Sequence, residues 1–278
     1  MAEFDPSILK KLYTPSRDSH KGQNGKVMLI AGSKLFHAAS IWPLTVMSRM
    51  CDMVFYASVV DNNEIVSRMK EQFLNGIVIP REKIDDYMLE AECILIGPGM
   101  PREEGIQEGD DNTKVLTESL LKKYSEKKWV IDGGSLQTID PMALPQTAII
   151  TPHIGEFERL FGINIGNLDL EQRMQVVEET AKKYNLVILS KGEKDIVCSP
   201  TECAIISGGN AGMTKGGTGD VLAGLVASLY AKNDAFISAC AASYINKKAG
   251  ESLSERMGIY FNASDLANEI PKVMKEVV

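Results

Sequence analysis

The residues best suited to chemistry lie in one segment, Gly208-Gly-Asn-Ala-Gly-Met-Thr-Lys-Gly-Gly-Thr-Gly-Asp220. In the stretch that follows, Val221, Leu222, Leu225, Val226 and Leu229 fall on one stripe, while Ala223, Gly224, Ala227 and Ser228 line much of the rest. That is the pattern of a helix packed closely on more than one side. Gly216, Gly217 and Gly219 therefore sit just ahead of a helix N-terminus, where unpaired N–H groups and the positive end of the helix dipole face the same way. Glycine lets the backbone curl so that several N–H groups converge on one anion, which makes the turn a phosphate or oxyanion cradle. Thr218 offers it a hydroxyl and Lys215 a charge. Asp220 has two readings: a first-turn acid that caps the dipole, or a carboxylate beside a bound phosphoryl group that takes a proton from the attacking hydroxyl. Three glycines immediately upstream favour the second. The segment matches neither a Walker A loop nor the dinucleotide fingerprint, whose last glycine is missing from Gly217-Thr-Gly219-Asp-Val-Leu222.

A turn of this kind needs a scaffold. Aliphatic runs recur at Lys26–Ala31, Met53–Val59, Cys93–Ile96, Trp129–Ile131, Thr147–Ile150 and Leu186–Leu189, and they read as strands buried on both faces. Helical patterns at Ile41–Cys51, Asn112–Glu126 and Asp169–Tyr184 lie between them. The alternation predicts a mainly parallel sheet with helices on both sides, a three-layer αβα sandwich. Five runs lead into Gly- or polar-rich turns: Gly32-Ser33, Gly97-Pro98-Gly99, Asp132-Gly133-Gly134, Thr151-Pro152-His153 and Ser190-Lys191-Gly192. In a parallel sheet these loops all emerge at the carboxyl edge, around the crevice where such sheets bind ligands. Asp195–Cys198 and Glu202–Ile206 read as an antiparallel hairpin, and Asp220–Ala231, Asp234–Glu251 and Ala263–Val277 as closing helices. Arg102 to Asp111 reads as an acidic surface loop. With no internal repeat or linker, residues 1–278 are expected to form one domain.

The chain has 278 residues, 44% hydrophobic and 24% charged, which excludes a disordered or collagenous protein. A net charge of −7 supplies no basic field for nucleic acid or an anionic membrane, so neither is expected as a partner and an anionic ligand must be held locally. The five cysteines show no paired spacing, and reduced thiols in a cytoplasm are expected. A start without a basic, apolar leader and the lack of a spanning apolar run point the same way.

Gly-Gly-Thr-Gly-Asp220 opening a small-residue helix resembles the ribokinase-like superfamily. Gly212-Met-Thr-Lys-Gly-Gly-Thr-Gly-Asp220 is similar in particular to the ADP- or ATP-dependent NAD(P)H-hydrate dehydratases. Lys21-Gly-Gln-Asn-Gly-Lys-Val-Met-Leu-Ile-Ala-Gly-Ser33, Ile96-Gly-Pro-Gly-Met100, Thr151-Pro-His-Ile-Gly-Glu-Phe157, Leu189-Ser-Lys-Gly192 and Ala263-Ser-Asp-Leu-Ala267 look like that family in order and spacing. The chain departs from the family pattern at His37 and at Gly133-Gly134-Ser135.

The resemblance implies a ribokinase-like fold and a nucleotide-driven dehydration of hydrated NADH or NADPH, with ADP or ATP as co-substrate and Mg²⁺. It implies that Asp220 is the catalytic base, with Gly217 and Gly219 in the anion hole. Lys191, Gly192, Glu193, Lys194, Asp195, Asn210, Gly216, Thr218 and Gly219 would contact the nucleotide, and Ala39, Gly99, His153 and Asp220 the hydrated dinucleotide. Glu156 would organise Mg²⁺ through water. Read as residues alone, Lys191 is either a phosphate-neutralising or a solvated charge, His153 either a ligand or an ordinary surface or core histidine, and Glu156 either that acid or a helix cap. No epimerase domain is expected within the chain, so a separate NAD(P)H-hydrate epimerase would be the pathway partner. Within the fold, a vitamin-precursor or sugar kinase is the alternative; outside enzymes, a nucleotide sensor without turnover. A homo-oligomer stays open, since the apolar C-terminal helices could bury either a second copy or the sheet.

Overall fold

In a computed structural model, which describes residues 3–71 and 73–278, the aliphatic runs become strands. These are β1 (Lys26–Ile30), β2 (Met53–Ala57), β3 (Ile77–Val78), β4 (Cys93–Ile96), β5 (Lys128–Ile131), β6 (Ala148–Ile150), β7 (Val187–Ser190), β8 (Asp195–Cys198) and β9 (Cys203–Ile206). They form one sheet in the order β3-β2-β1-β4-β5-β6-β7-β8-β9. Pairing is parallel from β3 through β7 and antiparallel for β7–β8 and β8–β9.

The helices are α1 (Ala38–Met50), α2 (Val60–Arg68), α3 (Ile84–Glu90), α4 (Thr113–Lys123), α5 (Gly133–Leu136), α6 (Ile154–Phe161), α7 (Leu170–Tyr184), α8 (Thr218–Tyr230), α9 (Ala235–Met257) and α10 (Ala263–Val277). Local chemistry fixes their ends. Asp169 and Gln172 form a capping box at the start of α7, and Asn262 and Asp265 form one at the start of α10.

Strand residues alternate between two cores, as a sheet buried on both faces requires. Val27 and Leu29 of β1 join one apolar cluster with α1, α8, α9 and α10, whereas Met28 and Ile30 join the other with α3, α4, α6 and α7. The result is the expected three-layer sandwich. The C-terminal helices thus bury the sheet. A Cβ added at Gly224 of α8 would lie 2.8 Å from Pro43 Cα of α1, so the small residues of α8 exist to let α1 approach.

β3 and the helices α2, α3 and α5 are absent from the sequence reading. They are two to nine residues long, too short to display a period. One expectation is corrected. Cys198 and Cys203 face each other across the β8–β9 hairpin with Cα atoms 4.1 Å apart and are joined by a disulfide, while Cys51, Cys93 and Cys240 are free. A spacing of five residues hid the pair because the turn between them makes them direct cross-strand partners. Among the described residues, no helix is long and apolar enough to cross a membrane.

The sheet order also locates the crevice. The chain leaves β1 towards β2 and β3, and leaves β4 in the opposite direction, so the topological switch point lies between β1 and β4. Their loops are stitched together by Gly32 N donating to Pro98 O at 2.7 Å and Gly97 N donating to Ile30 O at 3.1 Å.

Candidate active site

Gly217 is the N-cap of α8 and has φ 95°, a left-handed conformation natural to glycine. A Cβ there would run into the Trp42 ring and lie 2.8 Å from Ala263 Cβ. The turn is therefore pressed onto α1 and α10, whose own contact is fixed by Trp42 Nε1 donating to Ser264 Oγ at 3.0 Å. Among the described residues, the amides of Gly216, Gly217, Gly219 and Asp220 have no hydrogen-bond acceptor, whereas Thr218 N donates to Lys215 O. Four unpaired N–H groups at the positive end of a helix are the arrangement an anion cradle requires.

The motif's polar side chains behave otherwise. Thr218 Oγ1 lies 2.6 Å from Met213 O and 2.9 Å from Lys215 O, so its proton goes to the backbone and not to a ligand. Lys215 Nζ donates to Ile259 O and stands 5.2 Å above the Phe261 ring, which turns its charge away from the cradle. Asn210 is likewise engaged: its Oδ1 accepts from Gly212 N at 2.9 Å and its Nδ2 donates to Gly250 O at 2.7 Å. All three shape the loop.

Behind the cradle lies a cluster of charge. Lys191, at the end of β7, donates from Nζ to Asp132 Oδ1 at 2.8 Å and lies 3.6 Å from Glu156 Oε2. A Cβ on Gly219 would be 3.5 Å from the same Nζ. Burial by itself would lower the Lys191 pKa, but the Asp132 and Glu156 carboxylates more than compensate and hold it above the ordinary lysine value. Asp220, half-buried in the first turn of α8, has no hydrogen bond among the described residues. Burial, reinforced by the nearby Asp132 charge and opposed by Lys191, pushes its pKa up to about 8. A carboxyl in that position is a proton acceptor matched to neutral pH.

Asp132 is the functional candidate the sequence reading missed. It is 2% exposed, and its Oδ1 also accepts from Thr151 Oγ1 at 2.7 Å. A signal was present, since it terminates a buried strand at the crevice edge as Lys191 does. The turn after it is dictated by packing, because a Cβ at Gly97 would collide with the Asp132 carbonyl oxygen.

His153 and Glu156 start α6 as a capping box. His153 Nδ1 accepts from Gly155 N at 3.0 Å and Glu156 N at 3.2 Å, and Glu156 Oε2 accepts from His153 N at 2.9 Å. The imidazole proton is thereby assigned to Nε2, which lies 3.6 Å from Glu156 Oε1 on a largely exposed ring. Glu156 is 5% exposed, and its Oε1 accepts from Gln137 Nε2. Among the described residues, no cluster of three His, Cys, Asp or Glu side chains converges as a direct metal site. That donor set fits a cation held mainly by a nucleotide and by water, as Mg²⁺ commonly is.

A cavity of about 830 Å³ opens beside the cradle, walled by His153, residues 191–195, residues 207–211, Thr218, Gly219 and α9. Gly192, Glu193 and Lys194 line it as exposed loop residues. Asp195 lies beneath that loop: its Oδ1 accepts from Gly192 N at 2.8 Å and its Oδ2 from Ser243 Oγ at 2.7 Å. Burial raises its pKa against the pull of Lys247, whose Nζ is 3.4 Å away. Lys247 also donates to Gly192 O and Glu193 O, and nothing in its helical spacing announced that role. Ala39 and Gly99 lie outside this cavity and against each other, with a Cβ on Gly99 falling 2.7 Å from Ala39 Cβ at the β1–β4 switch point. The nearby His37 Nδ1 hydrogen-bonds Asn62 Oδ1. The sequence-predicted residues thus form two groups, joined through Asp132, Lys191 and Asp220.

Residues 27–272 match the NAD(P)H-hydrate dehydratase family. The ADP-dependent (S)-NAD(P)H-hydrate dehydratase of Cenarchaeum symbiosum is 34% identical, with 95% of this chain and 93% of that one covered. The bifunctional NAD(P)H-hydrate repair enzyme Nnr of Methanocaldococcus jannaschii is 35% identical over 96% of this chain, which spans only 51% of the relative's length. In fold, a ribokinase-like superfamily protein from Enterococcus faecalis superposes with a TM-score of 0.83 at 22% identity, covering 100% of this chain and 96% of that one. The ADP/ATP-dependent NAD(P)H-hydrate dehydratase of Bacillus subtilis, co-crystallised with ATP and Mg²⁺, does so with a TM-score of 0.79 at 20% identity, covering 100% and 99%. With its glycine turn, its half-buried acid and its sheet in the ribokinase-like arrangement, the chain belongs to the NAD(P)H-hydrate dehydratase family.

Proposed function

We propose that the protein restores NADH or NADPH from their hydrated forms, using ADP or ATP to convert the ring hydroxyl into a leaving group. The observation that carries this is Asp220, a carboxyl pushed up to about 8 at the end of four unpaired amides. Hydroxide is a poor leaving group near neutral pH, and phosphate is a good one. The terminal phosphoryl group of the nucleotide rests on the amides of Gly216, Gly217 and Gly219, which oppose the negative charge in transit. Asp220 takes the proton from the ring hydroxyl as its oxygen attacks phosphorus and the bond to the departing nucleotide breaks. The ring-nitrogen lone pair then expels phosphate, and loss of the adjacent ring proton restores the double bond.

Lys191 balances the Asp132, Glu156 and Asp220 charges so that Asp220 can ionise at working pH. Glu156 would hold Mg²⁺ through water; when bound, the ion screens the phosphate oxygens from each other. Residues 192–194 flank the nucleotide, and Asp195, Asn210 and Thr218 support it by fixing the loops that carry it. Ala39, Gly99 and the His153 Nε2–H face the hydrated dinucleotide. The bifunctional relatives suggest that a hydrate epimerase works on the same substrate pool. The direct test is to mix protein, hydrated NADH, ADP or ATP, and Mg²⁺, and follow the near-ultraviolet absorbance of the reduced ring. Its return at the rate of phosphate release supports the reading. Release of a stable phosphate ester without that absorbance overturns it in favour of a kinase.

A further inference from the structure

Asn246 is 4% exposed, lines the cavity, and carries a buried Oδ1 with no hydrogen-bond partner; its Nδ2 has none either among the described residues. Its neighbours on the same face of α9 are all engaged. Ser243 donates to Asp195, Lys247 donates to Gly192 O and Glu193 O, and Gly250 O accepts from Asn210. These three tie α9 to the two loops that bound the cavity. Asn246 ties to nothing, although a buried carboxamide offers one acceptor and two donors and is destabilising while they stay unpaired. An unpaired buried group in a native fold calls for a missing partner.

The position says which partner. The cavity's phosphate end is the Gly219 amide, and Leu222, one helical turn deeper in α8, is also in its wall. Beyond them the lining turns apolar or bare, with Ala211, Met213, Gly208 and Gly209, a slot suited to a flat ring. Among the described residues lining the cavity, Asn246 is the side-chain amide with no hydrogen bond, whereas Asn210 is engaged through both Oδ1 and Nδ2. A carboxamide pairs with the amino group and adjacent ring nitrogen of adenine through one accepted and one donated hydrogen bond.

We propose that Asn246 reads the base of the bound nucleotide, its carboxamide turning about χ2 so that Oδ1, buried in the free protein, accepts from the adenine 6-amino group. The assignment rests on the nucleotide-dependent reading above and makes Asn246 a specificity residue of that site. It predicts a preference set by one hydrogen bond that no backbone contact replaces.

The test is calorimetric binding to the intact protein of ADP and of purine riboside 5′-diphosphate, which lacks only the 6-amino group. Wild type is expected to bind ADP about tenfold more tightly, the worth of one such bond. Asn246→Leu, close in volume, is expected to bind the two within about twofold of each other, at the wild-type affinity for the analogue. Asn246→Ala gives a second variant of the same kind. In turnover, both variants should raise the KM for ADP and leave kcat near wild type. A wild type that does not distinguish the ligands overturns the inference without needing any variant to fold. So does an Asn246→Leu protein that weakens both ligands by one factor, the mark of a structural role. Binding needs no hydrated cofactor, so failure of the dehydration reading would appear separately, as tight ADP binding without ring restoration.

Discussion

Replacing Asp220 by Asn tests the base and its electrostatic setting together. The group's pKa of about 8 means that at pH 7 only about a tenth of free enzyme molecules carry the carboxylate. In the wild type kcat/KM should therefore climb close to tenfold per unit below pH 7 and level off above about pH 8. The Asn variant should lose about a hundred-fold or more in kcat, the usual contribution of a positioned base, and lose that pH limb as well. Stability should move the other way. A carboxyl whose folded pKa is raised binds more protons folded than unfolded, so its contribution falls as pH rises from about 4 to about 8. Asn cannot ionise and escapes that loss. One pKa unit corresponds to about 1.4 kcal/mol, and solvent reaching the half-buried group reduces the full shift to about 1–3 kcal/mol. The variant should match wild type in thermal unfolding at pH 4 and exceed it at pH 8.5. An Asp220→Asn protein with wild-type kcat, or with no gain in melting temperature at high pH, refutes the argument.

Three further outcomes follow from the same geometry. Lys191→Met removes the cation that opposes burial at Asp220, so the rising limb of kcat/KM should move to higher pH by about a unit or more, and the stranded Asp132 should lower stability by about 3 kcal/mol. A limb that stays in place, measured over the same pH range, contradicts the cluster. Gly217→Ala forces a Cβ against Trp42 in a left-handed backbone, and should cost about 1–3 kcal/mol by chemical denaturation together with measurable ADP binding. The Cys198–Cys203 disulfide closes off a short loop only, so melting under reductant should reveal a loss of about 2 kcal/mol while ADP binding persists. An unchanged melting curve would mean that the bond adds nothing to the hairpin.

What the sequence made legible was periodic or conformational. Buried strands of four or five residues, the capped helix α7 and the glycine turn before α8 all advertise themselves through composition at fixed spacing. Asp220 was legible because it stood beside glycines with no other purpose. Lys247 and Asn246 were not, because each owes its role to residues far away along the chain, and ordinary helix residues look the same in a linear sequence. A strand as short as β3 depends on tertiary pairing rather than on its own pattern.

The polar residues inside the motif carry the more general lesson. Thr218, Asn210 and Lys215 look like ligand groups because they are interleaved with glycines at an anion site. Yet a loop built from glycine has no side chains with which to hold its own shape, and its carbonyls need donors once it is pressed onto α1 and α10. The nearest hydroxyl, amide and ammonium are recruited to hold it, Thr218 bonding the loop's own Met213 O while Asn210 and Lys215 tie the loop to Gly250 O of α9 and to Ile259 O. The backbone amides, which have no acceptor among the described residues, stay free for a ligand. In such a turn the glycines are the candidates for binding and the polar side chains are the scaffold. Asp220, the polar side chain of that turn with no partner among the described residues, is therefore the one proposed to do chemistry.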